Sequence, residues 1–395
     1  VPCLTAETLQ EYAERHTVCP FELGLDSSLW SDVIIGDYNY LFDPVVHLVR
    51  FFESAGDYIF LVDEAHNLPG RAREMHSAAL TKTSFYEAKK LLGKGKSSLK
   101  NTLTKVNDVF IEWRHRAEEE TAARDGRFGK TFFLKERSEE FDHLLNRLCE
   151  PLEAWLDDHR EPDETHTALL QLYFDVRTWL RVADTFDDHF VLQITASGSE
   201  VRAAQLCLDP SAFLADSFAL GRAAVLFSAT LAPASYYKDL CGVPEARAVA
   251  LRSPFPAGNQ GLFCIGNVST RYKDRDASLA IVAESLATMV RAHCGNYLAF
   301  FPSYAYMEQA YAQFKEHCPE INCIKQENAM DEQQKAAFLA QFVPGPSQSL
   351  LGFAVMGGVF GEGVDLTGDR LIGVGIVGPG LPQVGPRQEQ LRDYF

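Results

Sequence analysis

Strand-like apolar runs fall in two blocks of this chain, and residues 71–190 between them read as helix throughout. Before the gap, DVII at 32–35 and DYIFLV at 57–62 are buried-strand patterns, too apolar for half-exposed edges. A short amphipathic helix over 5–16, with Thr5 as its N-cap, precedes them. Within the gap, FYEAKKLL, DVFIEWRHRAEEE, SEEFDHLLNRLCEPLEAWLDDH and TALLQLYFDVRTWLRVAD carry Leu, Phe and Trp at helical spacing. After it, VLQIT and VRAAQLCL look like a pair of strands and AAVLFSAT like a buried strand. From residue 251 strand and helix signals alternate: GLFCI, a helix over 277–293, YLAFF, a helix over 305–317, then LLGFAVMG and DRLIGVGIVG. Alternation of this kind predicts a parallel sheet covered by helices. The expected fold is therefore α/β, with two parallel-sheet domains, the first interrupted by a helical insertion. The expected divisions are 1–70, 71–190, 191–250 and 251–395.

Composition narrows the function classes. A chain of 395 residues has room for two or three domains. Every apolar run is broken well short of the roughly 20 residues that a spanning helix needs, so no membrane partner is expected. The nine cysteines are odd in number and contain no CxxC pair, which argues for a reducing compartment. With no signal peptide visible, the cytoplasm is the expected location. A net charge of −17 speaks against a protein that coats nucleic acid with its whole surface. It leaves room for a local basic channel. Residues 81–105 hold seven lysines (82, 89, 90, 94, 96, 100 and 105) against one acid, Glu87. That run is either a nucleic-acid patch, with Lys89 and Lys90 as its candidates, or a solvated face.

The chemistry concentrates where YIFLV runs into Asp63-Glu64-Ala65-His66. At the C-terminal edge of a parallel sheet, a first carboxylate can hold Mg²⁺ through water, and a second can orient and deprotonate an attacking water. Asp63 is then the metal-associated residue and Glu64 the general base. His66, on the following turn, is placed to couple the nucleotide site to the rest of the machine.

These four residues resemble the Walker B box of superfamily 2 helicases, and further segments agree in order. Ser228-Ala229-Thr230-Leu231 looks like motif III, and Ser253-Pro254-Phe255-Pro256 resembles the opening of the second motor domain in the XPD/DinG family. GNYLAFFPSY at 295–304 is similar to that family's motif IV, and GGVFGEGVDL at 357–366 to its motif V, with Gly361 where Ser or Ala is expected. Upstream, CPFE at 19–22 and DVIIGDYNYLFDP at 32–44 resemble the stretch before Walker B in bacterial members.

The resemblance implies two RecA-like domains, with the helical insertion standing where the family has its arch domain. It implies an ATP- and Mg²⁺-dependent helicase that moves along single-stranded DNA, 5′ to 3′, acts on forked DNA in repair or replication, and works as a monomer. It places Gly363 and Asp365 with Asp63 and Glu64 on the nucleotide. Ser228, Ala229, Thr230 and Glu362 become coupling residues. Tyr38, Asn39, Tyr40, Ser303 and Tyr304 become candidates for the DNA path, where cations, backbone N–H groups and stacking aromatics track phosphates and bases. The family's [4Fe–4S] cluster needs four cysteine thiolates upstream of Walker B. Cys19 matches the last of them, and Cys3 aligns with none.

Two family motifs are missing. A P-loop requires G-x-x-x-x-G-K-[ST] so that backbone N–H groups cradle the phosphates. Gly129-Lys130-Thr131 would need glycine at Arg124, and Gly95-Lys96-Ser97 would need it at Lys90. The arginine motif Q-x-x-G-R-x-x-R is also absent. The chain begins at Val1 and ends in LRDYF, and it reads as a piece cut at both ends that would hydrolyse ATP poorly by itself. Two alternatives stay open: a non-catalytic nucleic-acid-binding protein, and a DNA-stimulated ATPase without unwinding activity.

Overall fold

A computed structural model describes residues 4–93, 97–123, 129–361, 363–381 and 385–395. The chain falls into two units, Val1–Ala250 with Gly385–Phe395, and Leu251–Val384. Among the described residues ten strands form three sheets: β1 (Ile59–Val62), β2 (Ala78–Thr81), β3 (Lys130–Leu134), β4 (Phe190–Ser197), β5 (Glu200–Cys207), β6 (Ala223–Leu226), β7 (Asn296–Phe301), β8 (Asn322–Lys325), β9 (Leu350–Val355) and β10 (Gly373–Ile376). Among the described residues no helix is long and apolar enough to cross a membrane.

In the first unit β1 pairs with β6 in parallel, Val62 opposite Leu226. A small core of Phe42, Val62, Ala65, Leu68, Ala72, Leu214, Phe218 and Cys241 lies against this pair. The other face is open, with Ile59 64% and Leu61 68% exposed. The amino-terminal helix Ala6–His16 is capped as its sequence predicts, Thr5 accepting from the Thr8 N–H. The expected strand at 32–35 does not form: Val33, Ile34 and Ile35 are exposed and lack regular structure. An apolar run becomes a strand only when a neighbour completes its hydrogen-bond ladder, and no described strand pairs with this one.

The inserted region is mixed rather than wholly helical. Four antiparallel strands, in the order β2-β5-β4-β3, build a second sheet. The β4–β5 hairpin turns at Gly198, whose φ of +61° suits a two-residue loop. One face of the sheet packs on helices Lys82–Leu91, Ser98–Ala123, Glu139–Asp158 and Glu164–Thr185 through Phe85, Phe110, Phe132, Phe141 and Trp179. The opposite face, with Val191, Ala204 and Leu206, meets Leu391 and Tyr394 of helix Pro386–Tyr394. AALT and KTFFL escaped the sequence reading because runs of four or five residues show little periodicity. They are edge strands that form against the longer β5 and β4.

In the second unit all strands are parallel, in the order β10-β7-β9-β8. Phe301, Phe353, Tyr306 and Phe314 form a core on one face, and Leu298, Phe338, Phe342 and Phe360 form a core on the other. Coverage of both faces is what makes the run YLAFF continuously apolar. The segment GLFCI, expected as a strand, has no regular structure, and Leu262 and Phe263 are exposed. β8 (NCIK) fills an edge position that the sequence reading did not assign.

Candidate functional site: the DEAH turn and the glycine turn

β1 delivers Asp63, Glu64, Ala65 and His66 to the C-terminal end of the first parallel pair, and β6 delivers Ser228, Ala229 and Thr230 to the same end. The backbones stay in register past the strands: Phe227 N–H donates to the Val62 carbonyl at 3.0 Å, and Ala65 N–H to the Phe227 carbonyl at 3.1 Å. Glu64 lies in the left-handed region, φ +45°. For a residue with a Cβ that costs about 1–2 kcal/mol, so other contacts must hold the turn. Glu64 N–H donates to Asp63 Oδ1 at 2.7 Å. The Tyr38 hydroxyl donates to the carbonyls of Asp63 and Glu64, the latter at 3.0 Å.

The side chains form one connected polar group. Ser228 Oγ donates to Glu64 Oε2 at 3.2 Å, and it lies 2.8 Å from His66 Nδ1. His66 Nδ1 is also 3.3 Å from Glu64 Oε2. The tautomer with its proton on Nδ1 gives every atom a consistent role: imidazole donates to serine, and serine donates to carboxylate. Thr230 N–H adds a bond to Ser228 Oγ at 3.2 Å. The Glu64 side chain is half exposed, with Oε2 held by Ser228. Asp63 is exposed, and its Oδ1 is engaged by the turn.

Other candidate residues sit differently from their expectation. Tyr38 serves the DEAH turn with its hydroxyl, and its ring meets Phe42 edge-on at 6.3 Å. Asn39 and Tyr40 begin the short helix Asn39–Phe42 and are half-buried. Lys89 and Lys90 occupy the last turn of helix Lys82–Leu91, where cations also complement the helix dipole. Lys94 and Lys96 lie outside the described residues. Cys19 is exposed at the N-cap position of helix Pro20–Ser28. Among the described residues no group of three or more metal-ligating side chains comes together, and Cys3 lies outside them. The described residues thus supply one thiolate at this position and not a closed cluster site.

The second unit has its own turn. β9 ends at Val355 and leads into Gly357 and Gly358, Gly357 having φ +70°. Phe360 anchors the turn, stacking on Phe338 at 4.4 Å. Glu362 lies outside the described residues. Gly363 has φ +69°, and Asp365 is exposed, its carbonyl accepting from Arg370 Nη1 at 3.5 Å. A single 3-10 turn, Gly368–Arg370, then leads to β10. Ser303 caps helix Tyr304–His317, its hydroxyl accepting from Tyr306 N–H at 3.4 Å. Tyr304 is half-buried, and its hydroxyl accepts from Gln326 Nε2 at 2.7 Å. Sequence reasoning missed Gln326. Its only signal was a carboxamide directly after a short apolar run.

Two family models match the chain, DEAD_2 over residues 2–85 and the helicase C-terminal domain over residues 286–395. The ATP-dependent DNA helicase CHL1 of Coccidioides immitis is 21% identical, over 95% of this chain and 49% of its own length. The general transcription and DNA repair factor IIH helicase subunit XPD of Schizosaccharomyces pombe is 23% identical, over 77% of this chain and 48% of its own. The chain spans about half the length of these curated relatives. Among solved structures, an XPD helicase aligns with a TM-score of 0.57 at 18% identity, covering 98% of this chain and 66% of that one. Xpd4 of S. tokodaii aligns at 0.52 with 14% identity, covering 90% and 68%. At such identities the structures speak to the fold, which is that of two RecA-like domains. These models match the two ends of the chain, and the ordered segments between them make it similar to XPD/DinG-like helicases of superfamily 2.

Proposed function

We propose that the gene product is an ATP-dependent DNA helicase that moves along single-stranded DNA 5′ to 3′ and unwinds duplex from a fork, in DNA repair or replication. The observation that carries this reading is the group Glu64–Ser228–His66, which ties the DEAH turn to the Ser228–Thr230 segment at one sheet end. Relatives named as DNA helicases and as a repair-factor helicase subunit support the substrate class.

The geometry at the DEAH turn and the resemblance together support the following roles. Asp63 would hold hydrated Mg²⁺ through Oδ2, and that cation would offset charge on the phosphates of ATP. The half-exposed Glu64 carboxylate would orient the attacking water and take its proton. Ser228 fixes Oε2, so the carboxylate enters the reaction already aimed. His66 and Thr230 hold Ser228, so a shift of the Ser228–Thr230 segment re-aims Glu64. Gly363 and Asp365 are assigned to the nucleotide and Glu362 to coupling. Asn39, Tyr40, Lys89, Lys90, Ser303 and Tyr304 are assigned to the DNA path. Tyr38 serves that path indirectly, by holding the DEAH turn. Cys19 would give one thiolate to a [4Fe–4S] cluster whose other ligands the described residues do not supply. The protein acts as a monomer in the cytoplasm.

Strand displacement tests the reading. The full-length gene product is mixed with forked duplexes carrying either a 5′ or a 3′ single-stranded tail, with and without ATP. ATP-dependent displacement from the 5′-tailed fork is expected. DNA-stimulated ATP turnover without displacement would favour the motor that does not unwind. Binding with neither would favour the non-catalytic reading.

A further inference from the structure

The second unit holds a buried polar side chain that the roles above leave unused. Gln326 follows β8 and is 1% exposed. β8 stops pairing with β9 at Lys325 and Phe353. The Gln326 N–H carries the ladder one step further, donating to the Phe353 carbonyl at 2.8 Å. Beyond that point the side chain replaces the missing strand. Its Oε1 accepts from Val355 N–H at 3.0 Å, and its Nε2 donates to the Tyr304 hydroxyl at 2.7 Å. One carboxamide thus joins the first residue of helix Tyr304–His317 to Val355, the last residue of β9, two residues before Gly357.

The turn is shaped around that carboxamide. A Cβ on Gly358 would come within 3.0 Å of Gln326 Nε2 and 3.3 Å of Oε1. Gly358 N–H bonds back to the Val355 carbonyl at 3.0 Å, so the turn and the Gln326 contact share one residue. Buried carboxamides are expected to have partners. Here the partners lie on two segments that Proposed function assigns to different tasks, Tyr304 to DNA and the glycine turn to nucleotide response.

We propose that Gln326 is a positioning residue that couples the Tyr304 segment to the Gly357–Gly358 turn, so that DNA contact at the first alters the second. The proposal rests on the reading under Proposed function. Displacement of Tyr304 by DNA pulls on Nε2, and the same rigid amide plane transmits that pull through Oε1 to Val355 N–H. No bond is made or broken besides these hydrogen bonds.

The test is a double-mutant cycle on the full-length gene product. Single-stranded oligothymidylate is titrated against ATP turnover for the parent, Gln326→Met, Tyr304→Phe and the double variant, with thermal unfolding of each. Methionine fills the same space without either bond. Each single variant is expected to raise the half-stimulating DNA concentration about tenfold, and the double variant no further, because both cut one link. The KM for ATP is expected to stay unchanged. Should Gln326→Met fail to fold, Gly358→Ala presses on the same carboxamide and is expected to give the same shift. Additive effects, or a shift that tracks the loss of thermal stability, would overturn the coupling role and leave the helicase reading intact. A parent with no DNA-stimulated turnover would overturn both.

Discussion

The two parallel sheets of this molecule each end in a turn proposed to be functional, yet they hold that turn by different means. In the second unit β7 and β9 are buried on both faces, and the glycine turn rests on an aromatic stack and the buried Gln326 carboxamide. In the first unit β1 has an exposed face, and the DEAH turn is held by hydrogen bonds between partly exposed side chains. A turn set in a packed core moves only with the elements packed against it, because close packing transmits strain. A turn held by a few solvent-facing hydrogen bonds, each worth about 0.5–1.5 kcal/mol, can be re-aimed at modest cost. The difference suits the role proposed for Glu64, whose aim would change during a catalytic cycle.

Core truncation gives the widest contrast. Phe353, stacked on Phe301 and met edge-on by Tyr311 and Phe314, should cost about 3–5 kcal/mol on change to alanine. The exposed Leu61→Ala should cost less than about 0.5 kcal/mol. Urea denaturation of both variants checks this, and similar losses would erase the distinction between the sheets.

A smaller effect is expected at the DEAH turn. Ser228→Ala removes the group that fixes Oε2, and should slow ATP turnover about tenfold, or about 1.4 kcal/mol in barrier. The melting temperature should stay within about 2–4 °C of the parent. Loss of folding instead would mean that Ser228 is structural.

The insertion sharpens the comparison from a third side, with a polar contact inside a packed core. Trp179 Nε1–H donates to Asp142 Oδ1 at 2.8 Å, while Oδ2 has no hydrogen-bond partner and Arg137 Nη1 stands 3.9 Å away. Burial raises the Asp142 pKa above its usual value of 3.8, against the opposing pull of Trp179 and Arg137. The folded state therefore binds the proton more tightly than the unfolded chain does. Stability from this group is greatest below the ordinary carboxylate range and falls as pH rises through the raised value. Asp142→Asn keeps the acceptor for Trp179 and removes the charge. Its thermal stability should match the parent at acidic pH and exceed it slightly at neutral pH. A variant less stable at every pH would contradict this.

Thiol reactivity gives the mildest probe, since it leaves the sequence intact. Burial pushes the Cys207 thiol up to about 12 and Cys241 to about 11. Iodoacetamide at mildly alkaline pH should label the exposed Cys19, Cys264 and Cys294 within the time that Cys207 and Cys241 stay unlabelled. Mass spectrometry of the digested protein reads the order. Early labelling of Cys241 would show that the small core under β1 opens readily.

What could be read in the sequence follows the same physics. YLAFF, LLGFAVMG and the long insertion helices were legible because burial writes a continuous or periodic pattern over six or more residues. The DEAH and SAT segments were legible as residue types, but their meeting through Ser228 and His66 depends on the register of Val62 with Leu226. DVII and GLFCI carried the apolar pattern without the neighbours that make a strand. AALT, KTFFL and NCIK were too short for periodicity to separate them from loops. Gln326 acquires its place only once β8 stops one step short beside β9.

The central claim is that Glu64, aimed by Ser228, drives DNA-dependent ATP hydrolysis. Single-turnover hydrolysis by the full-length gene product and its Glu64→Gln variant, with and without single-stranded DNA, tests it most directly. The account predicts turnover that DNA accelerates in the parent and that falls at least about a hundredfold in the variant, as loss of a general base does. A parent that hydrolyses no ATP, or a variant that keeps the parent's DNA-stimulated rate, would contradict it.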